Sequence, residues 1–261
     1  MIGSKDSYAL VTGASTGIGN ALARVLAKDG KNVVVVARSR DKLDELKAEL
    51  ENNYGTIVRV LPKDLCDPKA PQEIYSELEK EGIRIDVLVN NAGFGVYGKF
   101  YETDLQKELE MIQVNVISLI HLTKLFLKKM VENRSGSILN VSSLCAFIPG
   151  PLESMYCGTK ALVRWFSEAL ANELKGTGVT VTCLYPGLVT TQFHKRANME
   201  HTRAANRKMM DADTCAEAAY KALKKGKLTV IPGWEYKVGV ILARVVPGIM
   251  IRMTRYQHEP A

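Results

Sequence analysis

Cysteine is scarce in this chain and poorly placed for a disulfide framework or a metal site. The five residues, Cys66, Cys145, Cys157, Cys183 and Cys215, are odd in number, scattered and without ligand spacing. Reduced thiols in a cytosolic setting are the expectation, with no metal bound. Long apolar runs are missing near the C-terminus, where the longest uncharged stretch, Val245 to Ile251, falls far short of the roughly 20 residues of a spanning helix. Met1 to Ser7 is short and polar and carries no targeting pattern, so a cytoplasmic location is expected. There is no internal repeat, low-complexity segment or linker. A content of 46% hydrophobic and 24% charged residues excludes disorder, and 261 residues suit one α/β domain spanning residues 1–261.

Short runs rich in Val, Ile and Leu recur at Tyr8–Thr12, Asn32–Ala37, Ile57–Leu61, Val87–Asn90, Ser137–Val141, Thr180–Leu184 and Lys227–Ile231. Their near-continuous apolar character predicts parallel strands covered on both faces. Helical patterns lie between them: Ile18–Lys28, Lys42–Glu51, Ile74–Glu81, Asp104–Val131, Met155–Leu174 and Thr214–Lys224. Gly30, Gly82, Gly176 and Gly226 stop four of these. Alternating β and α with right-handed crossovers predicts a Rossmann-type, doubly wound parallel sheet of about seven strands with helices on both faces. Such a sheet binds its ligand at the carboxyl ends of the strands.

The first strand runs into Thr12-Gly13-Ala14-Ser15-Thr16-Gly17-Ile18-Gly19 and then a helix. Glycines there let the backbone approach a pyrophosphate, whose charge sits at the positive helix N-terminus. The second strand ends Val36-Ala37-Arg38-Ser39-Arg40, without the acidic side chain that binds an NAD ribose. Arg38 can instead pair with a 2′-phosphate through its planar fork, which favours NADP(H) as cofactor. The alternative is that Arg38 and Arg40 are solvated charges opening the next helix.

Tyr156 and Lys160 are four apart at the start of a helical segment and therefore share a face. A free tyrosine, with a pKa of about 10, is a poor acid–base group, and a nearby lysine cation is expected to lower that value. Tyr156 could then donate a proton to a carbonyl oxygen or accept one from an alcohol. Ser142 and Ser143 follow the fifth strand directly, where a hydroxyl can hold the substrate oxygen.

With Asn90-Asn91-Ala92-Gly93, Asn115 and Pro186-Gly187 added in order, the sequence resembles the classical short-chain dehydrogenase/reductase family along essentially its whole length. The resemblance implies an NADP-preferring enzyme with Tyr156 as acid–base, Lys160 tuning it and binding the nicotinamide ribose, Ser143 orienting the carbonyl, and Asn115 holding a relay water. Ser143, 13 residues before Tyr156, is selected over Ser142 by the family spacing. It further implies cofactor contacts from Gly13, Ser15, Thr16, Gly17, Ile18, Gly19, Arg38, Asp64, Leu65, Asn91, Ala92, Gly93, Pro186, Gly187, Val189 and Thr191, and hydride transfer on the 4-pro-S face. The one departure is Gly158-Thr159 between tyrosine and lysine, where a helical glycine costs about 1 kcal/mol but removes no catalytic group.

Phe94, Leu144, Cys145, Phe147, Pro151, Met155 and Phe193 are expected to face the substrate, with residues 188–212 as a lid. This apolar set favours a 3-oxoacyl, steroid-like or other lipophilic ketone over a sugar. Apolar positions on Asp104–Val131 and Met155–Leu174 suit a homodimer or homotetramer interface, though core packing explains them equally. Residues 195–261 hold 13 basic and 6 acidic side chains, the whole of the chain's net charge of +7. Within them, residues 234–255 read as an amphipathic segment interrupted by Pro247-Gly248, with Lys237, Arg244, Arg252 and Arg255 on one side if the helix continues through the proline. It would pack on its own domain or on a second subunit, lie on an anionic membrane as a peripheral contact, or receive an acyl carrier. A non-catalytic NADP-sensing regulator on the same fold is the alternative function. Nucleic-acid binding is not expected, because no aromatic-rich or helix-turn-helix motif accompanies the charges.

Overall fold

The computed structural model describes residues 7–260, and the polar N-terminal residues up to Asp6 lie outside that range. Seven parallel strands form one sheet in the order β3-β2-β1-β4-β5-β6-β7. They are β1 (Ser7–Thr12), β2 (Asn32–Ala37), β3 (Val58–Pro62), β4 (Arg84–Asn90), β5 (Gly136–Val141), β6 (Val179–Leu184) and β7 (Thr229–Val230). The order reverses direction between β1 and β4, which opens a crevice at their carboxyl ends. Valines fill both faces of β2, as a strand covered on two sides requires, and Val33 to Val36 are fully buried.

One face is covered by α1 (Gly17–Lys28), α2 (Arg40–Tyr54) and α8 (Ala212–Lys224), which present Leu22, Leu26, Leu43, Leu46 and Ala219 to the sheet. The other is covered by α3 (Ala70–Lys80), α5 (Leu119–Glu132) and α6 (Ser154–Glu173), through Ile74, Leu78, Leu122, Phe126 and Leu170. Gly30, Gly82, Gly176 and Gly226 all take left-handed backbone just past their helices, as C-terminal caps do. The stretch Leu105–Glu132 is long and apolar enough to meet the composition of a membrane span, yet it is half buried and packs as a core helix. It is also not uniform. Between α4 (Leu105–Ile112) and α5, residues Gln113–Ser118 widen into a π-helical turn, a distortion often found at functional sites.

The C-terminal third has detail that the sequence pattern did not carry. The lid contains a short helix, α7 (Phe193–Arg196), and is tied down at its base and near its middle. Met210 bridges to Val189 at its base, and Thr202 bridges to Pro260 near its middle. The amphipathic segment is two helices, α9 (Trp234–Val245) and α10 (Pro247–His258), because the non-helical backbone of Val246 breaks the run and Pro247 starts a new helix. The condition for a single cationic stripe, a helix continuing through the proline, is therefore not met. Nor is the apolar face absorbed by the domain. Only Val240 and Ala243 of these helices are buried, whereas Ile241, Val245 and Ile249 are more than half exposed.

Candidate active site

The turn after β1 is built to admit a ligand backbone-close. Gly13 has a φ of +67°, and a Cβ there would sit 2.8 Å from Asn91 Nδ2 and 2.9 Å from Ala92 Cα. A Cβ on Gly19 would collide with Asn91 Nδ2 and the Gly13 carbonyl. The closeness is held by hydrogen bonds. Asn91 Nδ2 donates to the carbonyls of Thr12 (2.9 Å) and Gly13 (3.3 Å), and Thr12 Oγ1 accepts from the amides of Asn91 and Ala92, both at 3.0 Å. Thr16 caps α1 without a side-chain hydrogen bond, so the first amides of that helix remain available to an anion.

From this turn a cleft of about 710 Å³ runs along the carboxyl ends of the strands. Gly13, Ser15, Thr16, Gly17, Ile18, Arg38, Asp64, Leu65, Asn91, Ala92, Gly93, Pro186, Gly187, Val189 and Thr191 all border it, as do Ser143, Tyr156 and Lys160. Gly19 lies behind the turn, where it permits the close packing rather than lining the cleft. Arg38 is exposed at the far end. The shape and donors fit a dinucleotide: amides and a helix N-terminus at the centre, Arg38 at one end and Ser143, Tyr156 and Lys160 at the other.

Tyr156 and Lys160 occupy the first turns of α6 and are both buried. Lys160 Nζ donates to the Val141 carbonyl at the end of β5 (2.9 Å), and Ser142 Oγ donates to the Lys160 carbonyl (2.8 Å). Ser142 is thus spent on structure. Ser143, whose Oγ accepts from the Cys145 amide at 3.3 Å, is the hydroxyl that hydrogen-bonds Tyr156. Asn115, in the π-helical turn, accepts from the Phe94 amide (3.1 Å) and donates to the Phe94 carbonyl (3.0 Å) and Thr159 Oγ1 (3.2 Å). It sits behind the cleft and fixes the loop that follows β4.

One electrostatic expectation is overturned. Burial raises the Tyr156 pKa well above 10, reinforced by Cys145, Glu153 and Cys157, and the Ser143 hydrogen bond only partly opposes this. The Lys160 ammonium, 5.8 Å from the ring centroid and turned to Val141, is too distant to reverse this effect of burial. Desolvation wins over the lysine field. Tyr156 therefore carries its proton at neutral pH, the state that donates to a carbonyl oxygen. Burial also pushes Lys160 down to about 8. As pH rises through that value the cation beside a developing phenolate is lost. The kcat for carbonyl reduction is accordingly expected to fall above about pH 8, and a kcat constant to pH 10 would contradict this.

Phe94, Leu144, Cys145 and Phe193 border the cleft, with the Phe193 ring 5.2 Å from that of Tyr156. Phe147 and Met155 are not on its wall. The Phe147 ring packs at 4.8 Å on Tyr185 and under Arg164, and Met155 packs into the cluster of Met111, Tyr156 and Cys157. Pro151 turns its carbonyl to His258 instead (2.9 Å). Several cleft residues come from positions without motif signal. The Tyr236 ring fills the space a Cβ on Gly187 would need, and Glu153, His194, Gln257 and His258 border the substrate end. Among the described residues no cluster of His, Cys, Asp or Glu could hold a metal.

Fold and site have the form of a Rossmann-type nucleotide-binding domain. A family model described as short chain dehydrogenase matches residues 7–202. The chain is 37% identical over 195 residues to the very-long-chain 3-oxoacyl-CoA reductase of Anas platyrhynchos, covering 72% of this chain but only 62% of that one. It is 33% identical over 249 residues to the human 17-beta-hydroxysteroid dehydrogenase type 3, covering 90% of this chain and 79% of the relative. Among solved structures, a short-chain dehydrogenase from Sphingobium yanoikuyae in complex with NADPH superposes with a TM-score of 0.84 at 29% identity, covering 94% of this chain and 95% of that one. The chain belongs to the classical short-chain dehydrogenase/reductase family.

Proposed function

We propose that the chain is an NADP(H)-dependent reductase of a carbonyl on a lipophilic substrate, with 3-oxoacyl and steroid-like ketones as the substrate classes. The observation that carries this reading is one cleft holding proton-bearing Tyr156 beside Ser143 and Lys160, with Phe94, Leu144, Phe193, Met250 and Met253 on its walls. Bound NADPH supplies the hydride. Ser143 orients the carbonyl oxygen, Tyr156 donates its proton there, and Lys160 supports the resulting phenolate. The turn from Gly13 to Gly19 holds the pyrophosphate, and Arg38 pairs with the 2′-phosphate. The names of the reductase and steroid-dehydrogenase relatives support the substrate class. The intact set of Ser143, Tyr156, Lys160 and Asn115 disfavours a purely sensing role. An NADPH-consumption screen over 3-oxoacyl thioesters, ketosteroids, aldehydes and sugars tests it. Turnover concentrated on the first two classes is expected, and turnover confined to sugars would reject the reading.

The reading extends to a location in the cytoplasm at a membrane surface. Val238, Leu242 and Met253 border the cleft and are exposed on α9 and α10, the helices that also expose Trp234, Ile241 and Ile249. Lys237, Arg244, Arg252 and Arg255 are exposed on the same two helices. Exposed apolar and cationic side chains on the same two helices suit an anionic bilayer, where each basic residue adds about 1 kcal/mol. The chain is expected to co-sediment with anionic liposomes at low salt and to be released at high salt; absence from anionic liposomes at low salt would reject the membrane contact. On the opposite helices, exposed Ile117, Ile120, Leu162 and Trp165 support a homo-oligomer interface.

A further inference from the structure

The last residue of α10 and the residue capping α6 make a buried contact that the catalytic reading does not use. His258 Nε2 lies 3.2 Å from Glu153 Oε2, with side-chain exposures of 12% and 6%. His258 Nδ1 lies 2.9 Å from the Pro151 carbonyl. A carbonyl can only accept, so Nδ1 carries the hydrogen, and a neutral His258 then presents a lone pair on Nε2. Two acceptors cannot face each other at this distance, so one proton lies between Nε2 and Oε2. The other oxygen, Glu153 Oε1, is buried with no hydrogen-bond partner. An ionised carboxylate would leave a charged oxygen unpaired there, whereas a carboxylic acid leaves only a neutral carbonyl oxygen at far lower cost. The shared proton therefore belongs to Glu153.

We propose that Glu153 and His258 form a one-proton latch that holds the end of α10 on the catalytic loop and closes the substrate end of the cleft. Both are thereby positioning residues for the substrate. The surrounding bonds show what the latch holds. Tyr97 Oη donates to the His258 carbonyl (2.6 Å), the Ala204 amide to the Gln257 carbonyl (2.9 Å) and the Arg203 amide to the Glu259 carbonyl (3.2 Å). The loop after β4, the lid and the loop before Tyr156 thus meet on the final residues of α10. Met253, Thr254, Gln257 and His258 border the cleft, so displacement of this end opens the wall against which the substrate packs.

The latch has a defined response to pH. Burial pushes Glu153 up to about 7 and His258 below its ordinary value, so both favour the neutral pair. The ionisable groups around the pair are Tyr156 and Cys157 on α6, Tyr97 on the loop after β4, His194 on α7, and Glu259 beside Arg203 and Arg255. Tyr156, Cys157 and Tyr97 are pushed up and stay protonated, while His194 is pushed down and stays neutral. Glu259 is paired with Arg203 at 3.7 Å and Arg255 at 3.1 Å. Glu153 is the member of this group that changes charge near neutrality. Because its folded value is raised, the latch is made at low pH and lost as pH rises through about 7, when a carboxylate faces the Nε2 lone pair.

Hydrogen exchange tests the latch without any substrate, so its outcome stands apart from the reductase reading; the effect on KM rests on that reading. After correction for intrinsic exchange, protection of the Arg203 and Ala204 amides is expected to fall at least tenfold between about pH 6 and pH 8.5, the order of one lost hydrogen bond. In Glu153→Gln, the carboxamide donates to His258 Nε2 at every pH, so protection is expected to stay high throughout. His258→Ala should be unprotected at both ends. Wild-type protection independent of pH, or a Glu153→Gln variant that loses protection with the wild-type midpoint, would overturn the latch. For the ketone accepted in the screen, His258→Ala should raise KM at least fivefold with a smaller change in kcat. An unchanged KM in a variant whose exchange shows the latch open would overturn the positioning role.

Discussion

Replacing Tyr156 with phenylalanine is expected to lower turnover by about 10²–10⁴-fold, or more, while NADPH binding persists. The ring is buried and packs 5.2 Å from Phe193, and phenylalanine keeps that packing. Only the hydroxyl beside Ser143 is lost, and with it the proton delivered to the carbonyl oxygen. The catalytic neighbours hold their places independently of that hydroxyl. Lys160 is anchored on the Val141 carbonyl, and Asn115 on the backbone of Phe94. Stopped-flow turnover together with NADPH fluorescence titration separates the two effects. Turnover near the wild-type value would remove Tyr156 from the acid–base role.

The second large effect is expected at the other end of the cleft. Arg38→Asp should shift the preference from NADPH towards NADH by at least about tenfold. A charge-assisted hydrogen bond is worth about 1.5–3 kcal/mol, and the new carboxylate adds repulsion against a 2′-phosphate. Arg38 is exposed at the cleft end of β2, so the change is read in cofactor choice rather than in folding. The ratio of kcat/KM for the two cofactors measures it. Equal use of both by the unaltered protein would contradict the assignment of Arg38.

Much of this architecture was written locally in the sequence. The strand and glycine signals located all seven strands, since a parallel strand covered on both faces must be apolar at nearly every position. Only β7 proved shorter than its Lys227–Ile231 pattern, at Thr229–Val230. The hydrogen bonds from Thr12 and Asn91 give a physical reason for two motifs far apart in the chain. What local pattern did not carry is equally specific. The π-helical turn at Asn115 is a backbone hydrogen-bond register without a side-chain signature. Met155 adjoins Tyr156, but neighbours on a helix point about 100° apart, and here Met155 turns to the cluster of Met111 and Cys157 instead of the cleft. Whether Lys160 or burial governs Tyr156 depends on desolvation, which is a property of the packed fold. Glu153 and His258 carry no motif and meet only because α10 returns across the catalytic loop. The break after Val245 was readable, since proline favours the first position of a helix and Pro247-Gly248 interrupts the pattern.

The central claim is hydride transfer from NADPH to a lipophilic ketone within this cleft, and isotope transfer tests it most directly. With NADPH carrying deuterium at the 4-pro-S position and a ketosteroid or 3-oxoacyl thioester as acceptor, mass spectrometry of the alcohol should find one deuterium per molecule. With the 4-pro-R label, the alcohol should contain none and the label should stay on the nicotinamide. Alcohol formed without deuterium from either label, or no alcohol from any lipophilic ketone despite bound NADPH, would contradict the account.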